Sequence, residues 1–161
     1  MVKANQVIFS SYPAVLASND DFYVTNKGLA VIETSIVVFN SSLFKIIKPQ
    51  NLLCWQRVIL ANRMAETGEQ WAKVFSMYNS GTYNNQFMAL DLKKFVPNSQ
   101  VQKNSLWIVE QMPGAIESGD VTNILAAGYW PSYNVPFFES IRKYSGLDEQ
   151  LQKHPSMYVL Y

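Results

Sequence analysis

Cys54 and His154 are the single cysteine and the single histidine of this chain. Thiol hydrolysis needs a thiolate with a base at hydrogen-bond distance, and a Cys/His zinc centre needs several such ligands. One residue of each kind excludes that zinc centre and any disulfide within the chain. Cys54 stands between Leu53 and Trp55 in a stretch with helical periodicity. A lone thiol there is expected to be a buried small hydrophobe and not a nucleophile. His154 belongs to a tail without readable periodicity. No metal and no cofactor are expected.

Amides and hydroxyls offer a different chemistry. Asn134 lies in "WPSYNVP", with Pro131 and Pro136 restricting the backbone on either side. Held in such a frame, a side-chain NH2 can donate toward a developing oxyanion. From spacing alone, an asparagine bonding to its own turn is the better expectation. Thr34 and Ser35 follow the apolar run Leu29–Ile32 and Glu33 as a polar break, and such groups need partners when buried. "YNSGTYNNQF", from Tyr78 to Phe87, packs three asparagines, a glutamine, a serine and a threonine together. A structural polar knot that closes a helix end is expected there, ahead of a substrate role for Asn84 or Asn85. Asn40-Ser41-Ser42 fits the N-glycosylation sequon, a triplet that also arises by chance. The start, Met-Val-Lys-Ala-Asn-Gln, has no apolar stretch of the signal-peptide kind, which favours chance.

These groups need a scaffold, and 161 residues suffice for one domain with a real core. Hydrophobic residues make up 48% and charged residues 16%, which argues against disorder and suggests a surface covered in part by other segments. A net charge of +1 with scattered Lys and Arg provides no field for a phosphate backbone, so nucleic acid is not expected as a partner. No run reaches the roughly eighteen apolar residues of a membrane span.

Strands are expected over 7–10, 22–25 and 29–39, the last two joined by a hairpin loop whose Gly28 suits a left-handed conformation. Leu29-Ala30-Val31-Ile32 is apolar without alternation, as in a strand covered on both faces. A helix follows over 52–65, with Leu52, Trp55, Ile59 and Asn62 in one line. Thr67 and Gln70 form a capping box for a second helix that carries Trp71, Val74, Phe75 and Tyr78. Strands are expected over 86–92 and 106–111. Asp120 would cap a short helix through Ala126, 129–135 would run extended, and a helix over 137–144 would close at Gly146. The fold class is α+β, with mainly antiparallel strands and helices packed on them.

Four strings carry a family resemblance: "FSSYPAVLASNDDFY" (9–23), "WQRVILANRMAETGEQWAKVFSMYNSGTYNNQFMALDLKKF" (55–95), "IVEQMPG" (108–114) and "GYWPSYNVPFFESI" (128–141). In order and over nearly the whole chain, they resemble the phospholipase B-like, or lamina-ancestor-like, family of lysosomal or secreted proteins. The resemblance implies an αββα sandwich of the N-terminal nucleophile hydrolase type. It also implies a precursor whose self-cleavage frees an N-terminal cysteine, which acts as nucleophile with its own α-amine as base. The substrate implied is a lipid or acyl-amide. Asn134 corresponds to the family's oxyanion-hole asparagine, and Thr34 and Ser35 would border the site, with a backbone N–H as their contribution.

The nucleophile of the resemblance belongs upstream of 9–13, with a histidine and a tryptophan, and an arginine belongs beyond Tyr161. This chain is therefore expected to be an incomplete family domain, inactive and poorly soluble by itself, with the segment bearing the nucleophile as its partner. The alternative is a degenerate paralogue, or a fragment that serves at most as a binding or structural module.

Overall fold

A computed structural model of the protein describes residues 1–15 and 22–155; 16–21, inside the 9–23 string, and 156–161 lie outside the described residues. Six strands, β1 (Val7–Ile8), β2 (Phe22–Thr25), β3 (Leu29–Ser35), β4 (Asn85–Asp91), β5 (Leu106–Met112) and β6 (Ala115–Asp120), form one sheet in sequence order. Every pairing in it is antiparallel. The helices are α1 (Cys54–Met64), α2 (Gly68–Ser76), α3 (Thr122–Leu125), α4 (Glu139–Ser145) and α5 (Leu147–Lys153). The α+β expectation holds.

One sheet face is closed by α1 and α2. Leu29 and Val31 of β3, Phe87 and Ala89 of β4 and Val109 of β5 meet Val58, Ala61, Trp71 and Phe75 there. Trp71 stacks on Phe75 at 4.9 Å between centroids, and Phe75 tilts against Phe87 at 4.6 Å. Asn62 Oδ1 accepts from the Trp71 indole at 2.8 Å, so the one polar atom of that ring is satisfied inside the core. Thr67 caps α2 as expected, accepting from Gln70 N at 3.2 Å, while Gln70 reaches back to Glu66 N at 3.0 Å.

The other face is only partly closed. Met88, Leu106, Ile108 and Val121 form a smaller cluster under Trp130 and Phe138. Ile32 is 49% exposed, which corrects the expectation that its run is covered on both faces: the run alternates, with Leu29 and Val31 inward and Ile32 outward. β3 runs on through the polar Glu33, Thr34 and Ser35, as the strand expectation has it, because each pairs with β4. It ends at Ser35, short of 39, and β1 is only two residues long.

Other corrections have local causes. The buried face of α1 is Cys54, Arg57, Val58, Ala61 and Asn62, while Ile59 is 43% exposed. α2 ends at Ser76, leaving Tyr78 at φ 57° and 70% exposed. Asn79 draws the chain away from the helix, its Nδ2 donating to Met112 O at 2.9 Å and Ala115 O at 3.1 Å. β6 was not expected because "AIESGD" has no alternating pattern; pairing with β5 across Pro113-Gly114 makes it a strand. The expected cap at Asp120 is displaced: Val121 is the N-cap of α3 and makes no side-chain cap bond, while Asp120 ends β6 and its Oδ1 accepts from Thr122 N at 3.0 Å. The 129–135 stretch is irregular and not a strand. α4 ends at Gly146 as expected, and α5 then occupies part of the tail.

Candidate functional site

Thr34, Gln86, Glu110 and Glu117 stand side by side on β3, β4, β5 and β6: Thr34 is paired with Gln86, Gln86 with Glu110, and Glu110 with Glu117. Residues directly opposite share a face, so these four make a polar row on the partly open side. The neighbouring row, Ile32, Met88, Ile108 and Gly119, lacks polar side chains.

Residues 130–140 cross the polar row and bond to every strand in it. The Trp130 indole donates to Gln86 Oε1 at 3.3 Å, and Ser132 Oγ lies 2.5 Å from Thr34 Oγ1. Phe137 N and Phe138 N donate to the two oxygens of Glu110 at 2.5 and 3.0 Å. Ser140 Oγ donates to Glu117 Oε2. Gln86 Nε2 donates to Glu110 Oε1 at 2.6 Å. Phe138 precedes the first turn of α4 and has no polar side chain with which to cap it. The Glu110 carboxylate instead takes the N–H of Phe138 itself, one of the donors that the start of a helix leaves unpaired. Glu110 is wholly buried. Burial pushes its carboxyl above the ordinary range, outweighing the bonds from Phe137, Gln86 and Phe138, and Glu117 pushes it the same way.

Asn134 sits in the middle of the crossing segment at φ 63°, a left-handed conformation that asparagine tolerates. Its Nδ2 donates to Ser35 O at 2.9 Å. Ile36 N donates to Asn84 O at 2.8 Å, and in an antiparallel ladder this turns the carbonyl of Ser35 away from β4. The end of β3 thus brings Asn134 together with Thr34 and Ser35, Thr34 being tied to the loop through Ser132 and Ser35 through Asn134. The contact with Asn134 uses Ser35's carbonyl. Asn134 is exposed, at the rim of the sheet. Beside it a cavity of about 320 Å³ is lined by Gln86, Ile124, Trp130, Ser132, Val135 and Phe137, among others. Trp130 also borders an apolar cavity of about 270 Å³ over Ile32, Met88, Leu106 and Leu125.

The opposite face carries the polar knot expected from "YNSGTYNNQF". Arg57 of α1, 1% exposed, is its centre. It donates to Phe75 O at 2.7 Å, to Leu52 O at 3.2 Å and to Gln111 Oε1. Gln111 Nε2 in turn donates to Thr82 O at 2.9 Å and Asn84 Oδ1 at 3.2 Å. Thr82 Oγ1 accepts from Cys54 N at 3.2 Å. Asn84 is therefore a structural link. Asn85 is fully buried, with neither amide atom bonded to another described residue.

Cys54 is 3% exposed, and burial pushes its thiol up to about 12, against the opposing pull of Arg57. It is a core residue and lies on the face away from Asn134. His154 closes α5 and is exposed. Asn40 is exposed, and its Oδ1 accepts from Ser42 N at 3.2 Å and Ser42 Oγ at 2.6 Å. Among the described residues no group of His, Cys, Asp and Glu could hold a metal ion, and no helix is long and apolar enough to cross a membrane. The sequence reading overlooked Gln86, Glu110, Gln111 and Arg57. Their signal was a polar pair, Glu110-Gln111, inside an otherwise apolar strand, and an arginine in register with Cys54 and Ala61.

The family profile described as "Phospholipase B" matches residues 1–160. Phospholipase B-like protein B of Dictyostelium discoideum is 49% identical over 150 residues, which cover 93% of this chain and 26% of its own. Phospholipase B-like 1 of Homo sapiens is 51% identical over 150 residues, 93% of this chain and 27% of its own. A phospholipase B of Crotalus adamanteus is 45% identical over 152 residues, 94% of this chain and 28% of its own. The chain thus spans about a quarter of the length of these relatives.

Proposed function

Because this chain belongs to the phospholipase B family, we propose that it forms part of a hydrolase that cleaves acyl ester or amide bonds of lipids, with Asn134 as an oxyanion donor. The observation that carries this reading is the bond from Asn134 Nδ2 to Ser35 O at 2.9 Å. A side-chain amide has two N–H donors. One bonded to the end of β3 fixes the plane of the amide, which leaves the second with a defined direction. Such a donor costs no reorganisation when negative charge develops.

The nucleophile in this reading is an N-terminal cysteine on a segment outside these 161 residues. Its sulfur bonds to the acyl carbon, the carbonyl oxygen takes up negative charge, and the C–O or C–N bond breaks as the α-ammonium returns its proton to the leaving group. Water then hydrolyses the thioester. In this reading Thr34 and Ser35 border the reacting atoms, and the contact of Thr34 with Ser132 holds the loop to the sheet. The reading takes the fold as one half of an αββα sandwich of the N-terminal nucleophile type, and the exposed Ile32 with the apolar cavity beside it supports this as the face for a second sheet. Cys54, buried on the other face, takes no part, so this chain alone turns over no substrate. A lysosomal or secreted location accompanies the reading, with Asn40 as a glycan acceptor.

Asn134→Ala, placed in a longer polypeptide that includes the nucleophile, tests the assignment. Loss of one oxyanion donor lowers kcat by about 10²–10³-fold while KM stays near its starting value. Unchanged kcat sinks it.

A further inference from the structure

We propose that Glu110 is the positioning residue for Asn134, acting through a clamp that ties both ends of the 130–138 segment to one pair of side chains. Gln86 and Glu110 face each other across β4 and β5 and are bonded to one another at 2.6 Å. Gln86 takes the beginning of the segment by accepting from the Trp130 indole. Glu110 takes its end by accepting from the backbone of Phe137 and Phe138. Two points of the chain seven residues apart are thereby brought to one spot on the sheet, and the loop between them must close over it. Asn134, at φ 63°, sits within that closed loop.

The carboxylate is suited to this task and to no direct one. Glu110 is 0% exposed and both its oxygens are occupied by N–H donors, so it cannot reach a substrate. A carboxylate accepts on both oxygens without donating, whereas an amide in its place would turn one NH2 against an N–H. Burying a charge without a bonded cation is costly. Two backbone N–H groups and the Gln86 amide converge on Glu110 instead, and all three hold the segment or the residue that holds it. Direct bonding of Asn134 to Ser35 then sets the last torsions of the side chain. This inference rests on the oxyanion reading of Asn134 only for its effect on turnover; the clamp itself is a statement about the loop.

Hydrogen exchange followed by NMR, on the longer polypeptide that includes the nucleophile, tests the clamp. In Glu110→Gln, the Phe138 amide and the Trp130 indole exchange at least tenfold faster, while the amides of β4 and β5 keep their protection. Gln86→Met, which leaves Glu110 in place, speeds exchange of the Trp130 indole likewise and covers the case in which Glu110→Gln does not fold. Exchange at both groups unchanged in every folded variant overturns the proposal. In the longer, active polypeptide Glu110→Gln lowers kcat at least tenfold with KM preserved, and adds nothing further to Asn134→Ala. A fall in kcat that multiplies fully with that of Asn134→Ala also overturns it. If Asn134→Ala leaves turnover intact, the oxyanion reading fails while the exchange result still decides the clamp.

Discussion

Replacing Arg57 by Met isolates the contribution of the polar knot, because the side chains are similar in length and the apolar part of the packing is kept. The substitution removes donors from Phe75 O, Leu52 O and Gln111 Oε1, all in a region where Arg57 is 1% exposed. A buried acceptor left without a donor costs about 1–3 kcal/mol, so three cost roughly 3–9 kcal/mol. The contact of the guanidinium with the Phe75 ring, 4.4 Å from its centroid, is lost as well. Against this stands relief from burying a cation, worth several kcal/mol. The orphaned acceptors win, with a net loss of about 2–4 kcal/mol. For a chain of this size that lowers Tm by about 5–15 °C, read by far-UV circular dichroism during heating. Arg57→Lys does not restore it, since an ammonium cannot reach acceptors that diverge around a planar fork. Arg57→Met/Gln111→Leu loses less than the sum of the single variants, because one orphan is removed along with its donor. A Tm within about 2 °C of the parent for Arg57→Met, or full rescue by Lys, refutes the reasoning.

Glu110, whose carboxyl is held above the ordinary range by burial, binds its proton more tightly folded than unfolded. Its contribution to stability is therefore complete below the ordinary glutamate range and is lost as pH rises through the raised value. Melts across that window show Tm falling with rising pH, and Glu110→Gln flattens the dependence; an unchanged slope counts against it. Cys54, 3% exposed with its thiol pushed up to about 12, resists alkylation by iodoacetamide at pH 8 in the folded chain and reacts on unfolding in urea; rapid labelling of the native state contradicts its burial. The proposed lysosomal or secreted location sets the Asn40 triplet against a chance match: passed through a secretory pathway, the chain then carries a glycan removable by a peptide N-glycosidase and absent from Asn40→Gln, Asn40-Ser41-Ser42 being the one such triplet in the sequence; identical masses for the two proteins reject that site.

What the sequence determined by itself is what short-range physics controls. Helices Cys54–Met64 and Gly68–Ser76 were legible from periodicity and a Thr67 cap, and the β2–β3 hairpin from Gly28, which takes φ 72°. Family membership was legible too, because strings such as "WPSYNVP" are rare combinations, and with it came Asn134. Tertiary structure alone decided the rest. Strand β6 exists because β5 offers it a partner, since its own residues have no alternation. α2 stops at Ser76 because Asn79 is bonded across the β5–β6 turn. Thr34, Gln86, Glu110 and Glu117 become one row only when strand register sets them opposite each other, and register is a property of pairs of strands. The buried places of Arg57 and Glu110 were decided there as well, because the cost of burying a charge is offset by partners remote in sequence. Those partners, Gln111 for one and Phe137 and Phe138 for the other, are supplied only when the sheet and its helices close on each other.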